Sequence, residues 1–326
     1  MKWPLTSTRK VDRLKKEIQD LREKMDRAKL QRDDARTQRD RVKARIRTIG
    51  RDDSGSSDVI RDLTGRLVKM TEECNLFRHL HDTLRAELEA SEANTMAGVY
   101  DPPMPPSDLR FRIGGQRSIW LFLRIGETVV ADLQRLIQEA GQVTSEFNSI
   151  LDFGAGCGRV LRHLPGAFPE AQIHAADVDA EAMSWCSKNL PFLTSNSVLP
   201  LLPPSTLGDK QFDLIYAISV FTHLPLTVQT AWFAELKRVA KPGALLVLSY
   251  LPDSAAAEHF TPNMAIENVD GFSYYKTTPT EGLPDYYHVS YHTEEAIRRL
   301  AGEHFDVLFT REKGINNHQN VIVCKV

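Results

Sequence analysis

Along the first ninety positions apolar residues recur in steps of three and four, at Leu14, Ile18, Leu21, Met25, Ala28, Ala35, Val42, Ile46 and Ile49, with Arg32 and Arg39 interrupting the stripe. After the breaker "RDDSGSSD" the same spacing resumes at Ile60, Leu63, Leu67, Met70, Cys74, Phe77, His81, Leu84 and Leu88. Spacing of this kind predicts two helices, each with a narrow heptad seam. Such a seam is too thin to face a broad core and suits another helix. The two can fold back as a hairpin or pair with a second chain; self-association into a homo-oligomer is the favoured reading. His81 falls on the seam, as a register-setting polar residue rather than a metal ligand. "DPPMPPSD" then ends the helical pattern, because proline lacks an amide donor and restrains the residue before it. The chain divides into a helical region at 1–93, a proline-rich linker at 94–108 and a further domain at 109–326.

Beyond the linker the period changes. Strand-like runs at "SILDF", "QIHAADV", "FDLIYAIS", "GALLVLSYL", "FDVLFT" and "NVIVCKV", with a poorer one near "PFLTSN", alternate with helix-like segments. That alternation predicts an α/β domain with a mostly parallel sheet covered by helices. Ligands in such sheets bind at the carboxyl ends of the strands, where the strand order reverses.

Charge and composition narrow the picture. The net charge of -2 conceals 17 Lys and Arg against 8 Asp and Glu in residues 1–50, so the remainder is acidic. Acidic residues are interleaved through the basic region (Asp12, Glu17, Asp20, Glu23, Asp26) without alternating aromatics, which describes a solvated helical surface better than a nucleic-acid or membrane-binding one. Four cysteines, Cys74, Cys157, Cys186 and Cys324, are too dispersed for a structural metal and suit a reducing compartment. The N-terminus lacks the apolar core of a signal peptide, and no run approaches bilayer-spanning length. A cytoplasmic protein with free thiols, no metal and no membrane span is expected.

The most pointed signal is "LDFGAGCGR", Leu151 to Arg159, with three glycines in five positions directly after the first strand. Glycine tolerates backbone angles and close approaches that side chains forbid, at a cost of about 0.5–1 kcal/mol in regular structure. A dinucleotide fingerprint requires a further glycine or alanine where Arg159 stands. A Gly-x-Gly-x-Gly turn preceded by Asp152 can instead admit an aminoacyl group and its ribose, and a carboxylate at the end of the second strand, Asp177, can accept two ribose hydroxyl protons. Arg159 and Arg162 read as helix-surface residues, and Cys157 has no neighbouring base that would make it a nucleophile.

In these motifs the sequence resembles the class I S-adenosylmethionine-dependent methyltransferases. "ILDFGAGCGRVLRHL" matches their first motif, "AADVDAEAM" the second, "FDLIYAISVFTHLP" the fourth-strand motif and "RVAKPGALLVLSY" the fifth strand. "DLRFRIGG", "LPDYYHVSYHTEEAI" and "HQNVIVCKV" extend the likeness to a narrower bacterial group, over about 109–326. The resemblance implies a Rossmann-like, seven-stranded domain binding S-adenosylmethionine. It places Asp152, Gly154 and Gly156 against the methionine moiety, Asp177 at the ribose, and Asn196 and Ser197 at the adenine edge. Arg112 and Gly114 are expected near the cofactor carboxylate, with Ser219 also in the cofactor set.

For the acceptor, "GFSYYKTTPTEGLPDYYHVSYHTEEAI" supplies Tyr274, Tyr275, Tyr286, Tyr287, His288, Tyr291 and His292. His223, His288 and His292 are the base candidates, although His223 can equally cap the strand end and the aromatic segment can be a packing lid. Thr293 is placed to cap the following helix. Aromatic faces with polar tips suit a carbohydrate-like or small-molecule acceptor methylated on oxygen, with surface polysaccharide or lipid-linked glycan as the class the resemblance implies. No "NPPY"-type tetrapeptide follows the fourth strand, so nucleic-acid N-methylation is not expected. The contrasting expectation is a coiled-coil scaffold carrying an S-adenosylmethionine-binding module of little activity.

Overall fold

The computed structural model describes residues 102–115, 117–256, 260, 264–277 and 283–326, together with 20, 23–24, 27, 30–31, 34–42, 44, 63–72 and 75–76. The chain divides into two compact units, Met1–Tyr100 and Asp101–Val326. In the first unit every described residue is helical. Ala35 and Leu63, both on the predicted seams, are buried, whereas Leu30, Val68 and Leu76 lie off the seams and are exposed. Val42, Leu67 and Met70, also on the seams, are half-buried; the remaining stripe positions, and His81, lie outside the described residues.

The second unit is built on a seven-stranded sheet of order β3-β2-β1-β4-β5-β10-β9. Its strands are β1 Ser149–Phe153, β2 Gln172–Asp177, β3 Leu193–Val198, β4 Phe212–Ala217, β5 Ala240–Tyr250, β9 Asp306–Ile315 and β10 Gln319–Lys325. The first five are parallel, and β10 is antiparallel to both its neighbours. From β1 the chain steps outward to β2 and β3, then returns to the other side of β1 at β4. The order reverses between β1 and β4, and a crevice opens beyond their carboxyl ends.

Both faces of the central strands are apolar because helices cover both. Ile150, Leu214, Leu245 and Val247 belong to one core, with the helix α2, Ile119–Glu139. Leu151, Ile215, Leu246 and Leu248 belong to the other, with α5, Leu226–Val239. Helix α2 buries Phe122, Val129, Leu133, Leu136 and Ile137, one stripe at helical spacing, and begins where Ser118 Oγ accepts from the Leu121 amide. Shorter helices are α1 Ser107–Gly114, α3 Leu164–Ala167, α4 Ala180–Asn189, α6 Asp253–Ala256 and α7 Glu294–Gly302. Asp179 caps α4 by accepting from the Glu181 and Ala182 amides at 3.0 Å each. Thr293 caps α7 in the same way, as its position predicts.

The sequence reading did not anticipate a second, antiparallel sheet of β6 Ala265–Val269, β7 Phe272–Tyr275 and β8 Val289–His292. Its alternation is masked because tyrosine and histidine occupy both faces of β7 and β8. β8 is tied to the loop after β4: the Ser290 amide donates to the Thr222 carbonyl at 2.8 Å, and Ser290 Oγ donates to the Phe221 carbonyl at 2.7 Å. This join sets the Tyr287 ring and the His288 carbonyl against His223.

Candidate active site

The glycine turn after β1 is shaped by backbone angle and by packing together. Gly154, Gly156 and Gly158 have φ of 86°, 53° and 82°, in the left-handed region that side chains avoid. A Cβ on Gly154 would lie 2.2 Å from Val220 Cγ2, and one on Gly156 2.8 Å from Ile113 Cδ1. The Gly154 amide donates to the Ala176 carbonyl at 2.8 Å, fixing the turn to the end of β2.

Two carboxylates close this end of the crevice. Asp177, the last residue of β2, accepts from the Gly156 amide at 2.7 Å and, through its other oxygen, from the Asp179 amide at 2.8 Å. Each oxygen retains a further lone pair, and the residue lines the cleft. Burial raises its pKa against the pull of those amides. Asp152 lies opposite Tyr216 across β1 and β4 and is buried, with Oδ2 lacking any hydrogen-bond partner. Burial pushes its pKa up to about 7, opposed by Tyr216 and assisted by the negative charge of Asp177.

Arg159 departs from its expected place on a helix surface. No helix of regular length follows the turn; the chain enters a short 3-10 segment at Leu161–His163, and Arg159 turns inward to line the cleft. Its Nε is buried without a partner, it forms no ion pair among the described residues, and burial lowers its pKa. Its place directly after the third glycine was the available clue. Arg112, expected near the cofactor carboxylate, also lines the cleft, but its guanidinium is paired with Asp179 and Glu181 at 2.8 Å each. Those carboxylates hold its pKa above the ordinary value. Arg162 donates to the Pro102 carbonyl at 2.7 Å and the Pro103 carbonyl at 3.0 Å.

The cleft, about 970 Å³ counted to its open mouth, continues past Asp177 between Val178, Leu199, Leu224, Trp232 and Pro284. Asn196 and Ser197 are not brought to it. Asn196 Nδ2 instead donates to the Met183 carbonyl at 2.5 Å, bonding β3 to α4, and Leu199 is the nearby residue that reaches the cleft wall. Ser219 does line it, in a left-handed conformation with φ 60°, its amide donating to Ser249 Oγ.

A second cavity adjoins the first, sharing Arg112, Arg159, Ser219 and Tyr287, and adding Gly114, His223 and Gln319. His223 Nδ1 lies 2.6 Å from the His288 carbonyl oxygen. A carbonyl only accepts, so Nδ1 carries the proton and Nε2 presents a lone pair. The ring stacks on Tyr287 at 4.2 Å, and burial lowers its pKa to about 4, so it is neutral near pH 7. The other two base candidates do not reach either cavity. His292 is buried, donating from Nε2 to Gln229 Oε1 at 3.0 Å, with its pKa lowered to about 3 by burial. His288 is buried beside Tyr274, and its ring Nδ1 lies 3.4 Å from the Thr277 amide and hydroxyl. Neither lines the cavities because each is engaged elsewhere, His292 on β8 by Gln229 of α5 and His288, just before β8, by Thr277. Cys157 is buried, its thiol pushed up to about 12 by burial, which removes it as a nucleophile.

Among the described residues no cluster of three or more His, Cys, Asp or Glu side chains could hold a metal, and no helix is long and apolar enough to cross a membrane. Residues 151–246 match a protein-family model described as a methyltransferase domain. A malonyl-[acyl-carrier protein] O-methyltransferase of Halalkalibacterium halodurans is 26% identical over 184 residues, 52% of this chain and 66% of that protein. This match therefore spans slightly less than two thirds of the relative's length. Among solved structures, an S-adenosylmethionine-dependent methyltransferase of Aquifex aeolicus is 19% identical, covering 68% of this chain and 99% of its own at a TM-score of 0.42. The 1,6-didemethyltoxoflavin-N1-methyltransferase of Burkholderia thailandensis, solved with S-adenosylhomocysteine, is 15% identical, with coverage of 70% and 92% and a TM-score of 0.45.

Proposed function

Residues 151–246 match a methyltransferase domain, and from this premise we propose that the chain is a class I S-adenosylmethionine-dependent enzyme that methylates a hydroxyl oxygen of a small, carbohydrate-like acceptor, with His223 receiving its proton. The chemistry of the donor set fits the cofactor. Asp152 and Arg159 are opposite charges lining one cleft without touching, each with a buried orphan atom. That is the complement of an amino acid's ammonium and carboxylate. Asp177 is placed to receive ribose hydroxyls, and the apolar slot beyond it to take a flat base. Bound S-adenosylmethionine supplies a methyl group on a positively charged sulfur.

The chain's own contribution is orientation and proton acceptance. His288 fixes the His223 tautomer through its carbonyl and Tyr287 fixes the ring plane, so Nε2 is held as a neutral acceptor lining the second cavity. A hydroxyl hydrogen-bonded there would give its proton to Nε2 as its oxygen took the methyl group, which the bound cofactor would supply while keeping the carbon–sulfur electrons on its sulfur. The relative named as an O-methyltransferase supports oxygen as the atom modified. The observation that carries the reading is the neutral His223 ring, whose Nδ1 is taken by the His288 carbonyl and whose Nε2 has no partner among the described residues. His223→Gln should lower turnover by about 10²–10⁴-fold, the usual contribution of a positioned base, with S-adenosylmethionine affinity within about twofold. Turnover would be followed as S-adenosylhomocysteine release with a panel of sugars and phenols; an unaffected rate would point to a carboxylate nucleophile, which needs no base.

We also propose that the heptad stripes of residues 1–93 join two copies of the chain. Light scattering should return a dimer, and a monomer would favour the intramolecular hairpin.

A further inference from the structure

The second cavity holds a polar group that methyl transfer does not use. Gln319 is the first residue of β10 and lines this cavity together with His223, Ser219 and Tyr287. Its Nε2 donates to Ser219 Oγ, while its Oε1 is buried with no partner. The wall that carries it is fixed. The turn between β9 and β10 places Asn316 and Asn317 at φ 52° and 49°, and the Asn316 amide donates to Asp132 Oδ2 at 2.7 Å. Arg135 on α2 donates to the Gly314 carbonyl at 2.8 Å. The backbone that carries Gln319 is thus held in place, and its side chain is tethered to Ser219. An orphaned buried oxygen is costly unless a ligand or water supplies the missing hydrogen bond.

His223 and Gln319 thus bring two acceptors to the lining of one cavity, Nε2 and Oε1, and neither has a donor among the described residues. The cavity lining contains Arg112 and Arg159 and no carboxylate among its described residues, which disfavours a cationic, ammonium-bearing donor. A hydroxyl is neutral and can both donate and accept, so it satisfies either end of the amide. We infer that the acceptor carries two hydroxyl groups, one received by His223 and methylated, the other bound by Gln319, which makes Gln319 a specificity-determining residue for a diol. This rests on the methyltransferase reading above. A substrate with a single hydroxyl leaves Gln319 unsatisfied and is discriminated against for that reason. Because Gln319 also holds Ser219, which lines the cofactor cleft, the same side chain joins the two cavities.

The test uses the full chain saturated with S-adenosylhomocysteine and two matched probe pairs, cis-1,2-cyclohexanediol against cyclohexanol and catechol against phenol, titrated by ligand-observed NMR. In at least one pair the diol should bind at least about tenfold tighter, as expected for a site left with an unpaired polar group by the mono-alcohol. The pair showing the preference tells whether a saturated, sugar-like ring or a flat ring is taken. Gln319→Met should bring that ratio to within about twofold of unity. Gln319→Glu, which keeps the acceptor oxygens, should retain the preference, a rescue that a purely structural role for Gln319 does not predict. Equal affinities in both wild-type pairs, or a preference that survives Gln319→Met, overturns the inference. Failure of the wild type to bind S-adenosylhomocysteine overturns the methyltransferase reading itself, so the two failures are told apart.

Discussion

The cofactor wall and the acceptor wall of this site are made from different kinds of chain. Asp152, Gly154, Gly156, Arg159 and Asp177 fall within 26 positions on two neighbouring parallel strands and the turn between them, locked by the pairing of Asp152 with Ala175 and Phe153 with Ala176. The acceptor wall draws Gly114 and Gly115 from the end of α1, Ser219 and His223 from the loop after β4, Tyr287 from the segment before β8, and Gln319 from β10. One wall is a local motif whose geometry follows from strand register and glycine backbone angles. The other exists only after four distant segments have docked. The first wall can be shared by proteins with different substrates, whereas the second is where this chain defines its own.

The largest expected effect separates the walls at once. Gly154→Ala forces a side chain into φ 86° and sets its Cβ 2.2 Å from Val220 Cγ2, a β-branched neighbour with little room to rotate. Strain and overpacking together should cost about 2–5 kcal/mol of stability, and cofactor affinity should fall at least about tenfold because Val220 itself lines the cleft. Thermal denaturation and calorimetry measure both. An alanine variant with wild-type melting temperature and affinity would mean that the turn is not as tightly built as the comparison holds.

This difference also explains what could be read in advance. The positions along the chain of all seven strands of the main sheet follow from apolar runs between breakers, and Asp152, Gly154, Gly156, Asp177 and Ser219 all line the cleft or form its turn. Asn196 was misplaced because a strand of period two says which face a residue takes but not whether a helix carbonyl, here that of Met183, will claim its amide first. Of the three histidines His223 is the one that lines the second cavity, yet its sequence neighbours give no reason to prefer it over His288 and His292. The choice depends on a carbonyl 65 positions away. Arg159 was read as exposed because helical periodicity was extended through a segment that is only one 3-10 turn. Gln319 gave no signal at all, since a polar residue at the start of an edge-proximal strand is ordinary until its unsatisfied oxygen is seen.

A second, smaller effect sharpens the electrostatics of the cofactor wall. Burial holds the Asp152 pKa at about 7, so below that pH the carboxyl is protonated and offers nothing to an ammonium group. S-adenosylmethionine affinity should therefore rise about tenfold between pH 5.5 and 7, and Asp152→Asn should weaken binding while flattening that dependence. In the free protein the sign reverses. The folded-state pKa lies above the unfolded value of 3.8, so ionising Asp152 penalises the fold increasingly from about pH 4 and fully above pH 7. Asp152→Asn should accordingly raise the melting temperature of the cofactor-free protein at pH 8. A pH-independent affinity in the wild type would remove Asp152 from the ammonium site.

The smallest effect is expected from the matching glycine on the acceptor wall. Gly115 ends α1 in the left-handed conformation, φ 65°, with its amide donating to the Phe111 carbonyl at 2.7 Å, a common way to terminate a helix. Unlike Gly154 it has nothing within 4 Å of where a Cβ would stand. Gly115→Ala therefore carries only the conformational cost, about 1 kcal/mol, and should leave cofactor affinity within about twofold. Because Gly115 lines the second cavity, the added methyl projects where the acceptor must enter, and the acceptor's KM should change while cofactor binding does not. Titrating the cofactor into both alanine variants tests the comparison directly: similar losses at Gly154 and Gly115 would show one continuously constrained site rather than a rigid cofactor wall beside a roomier acceptor wall.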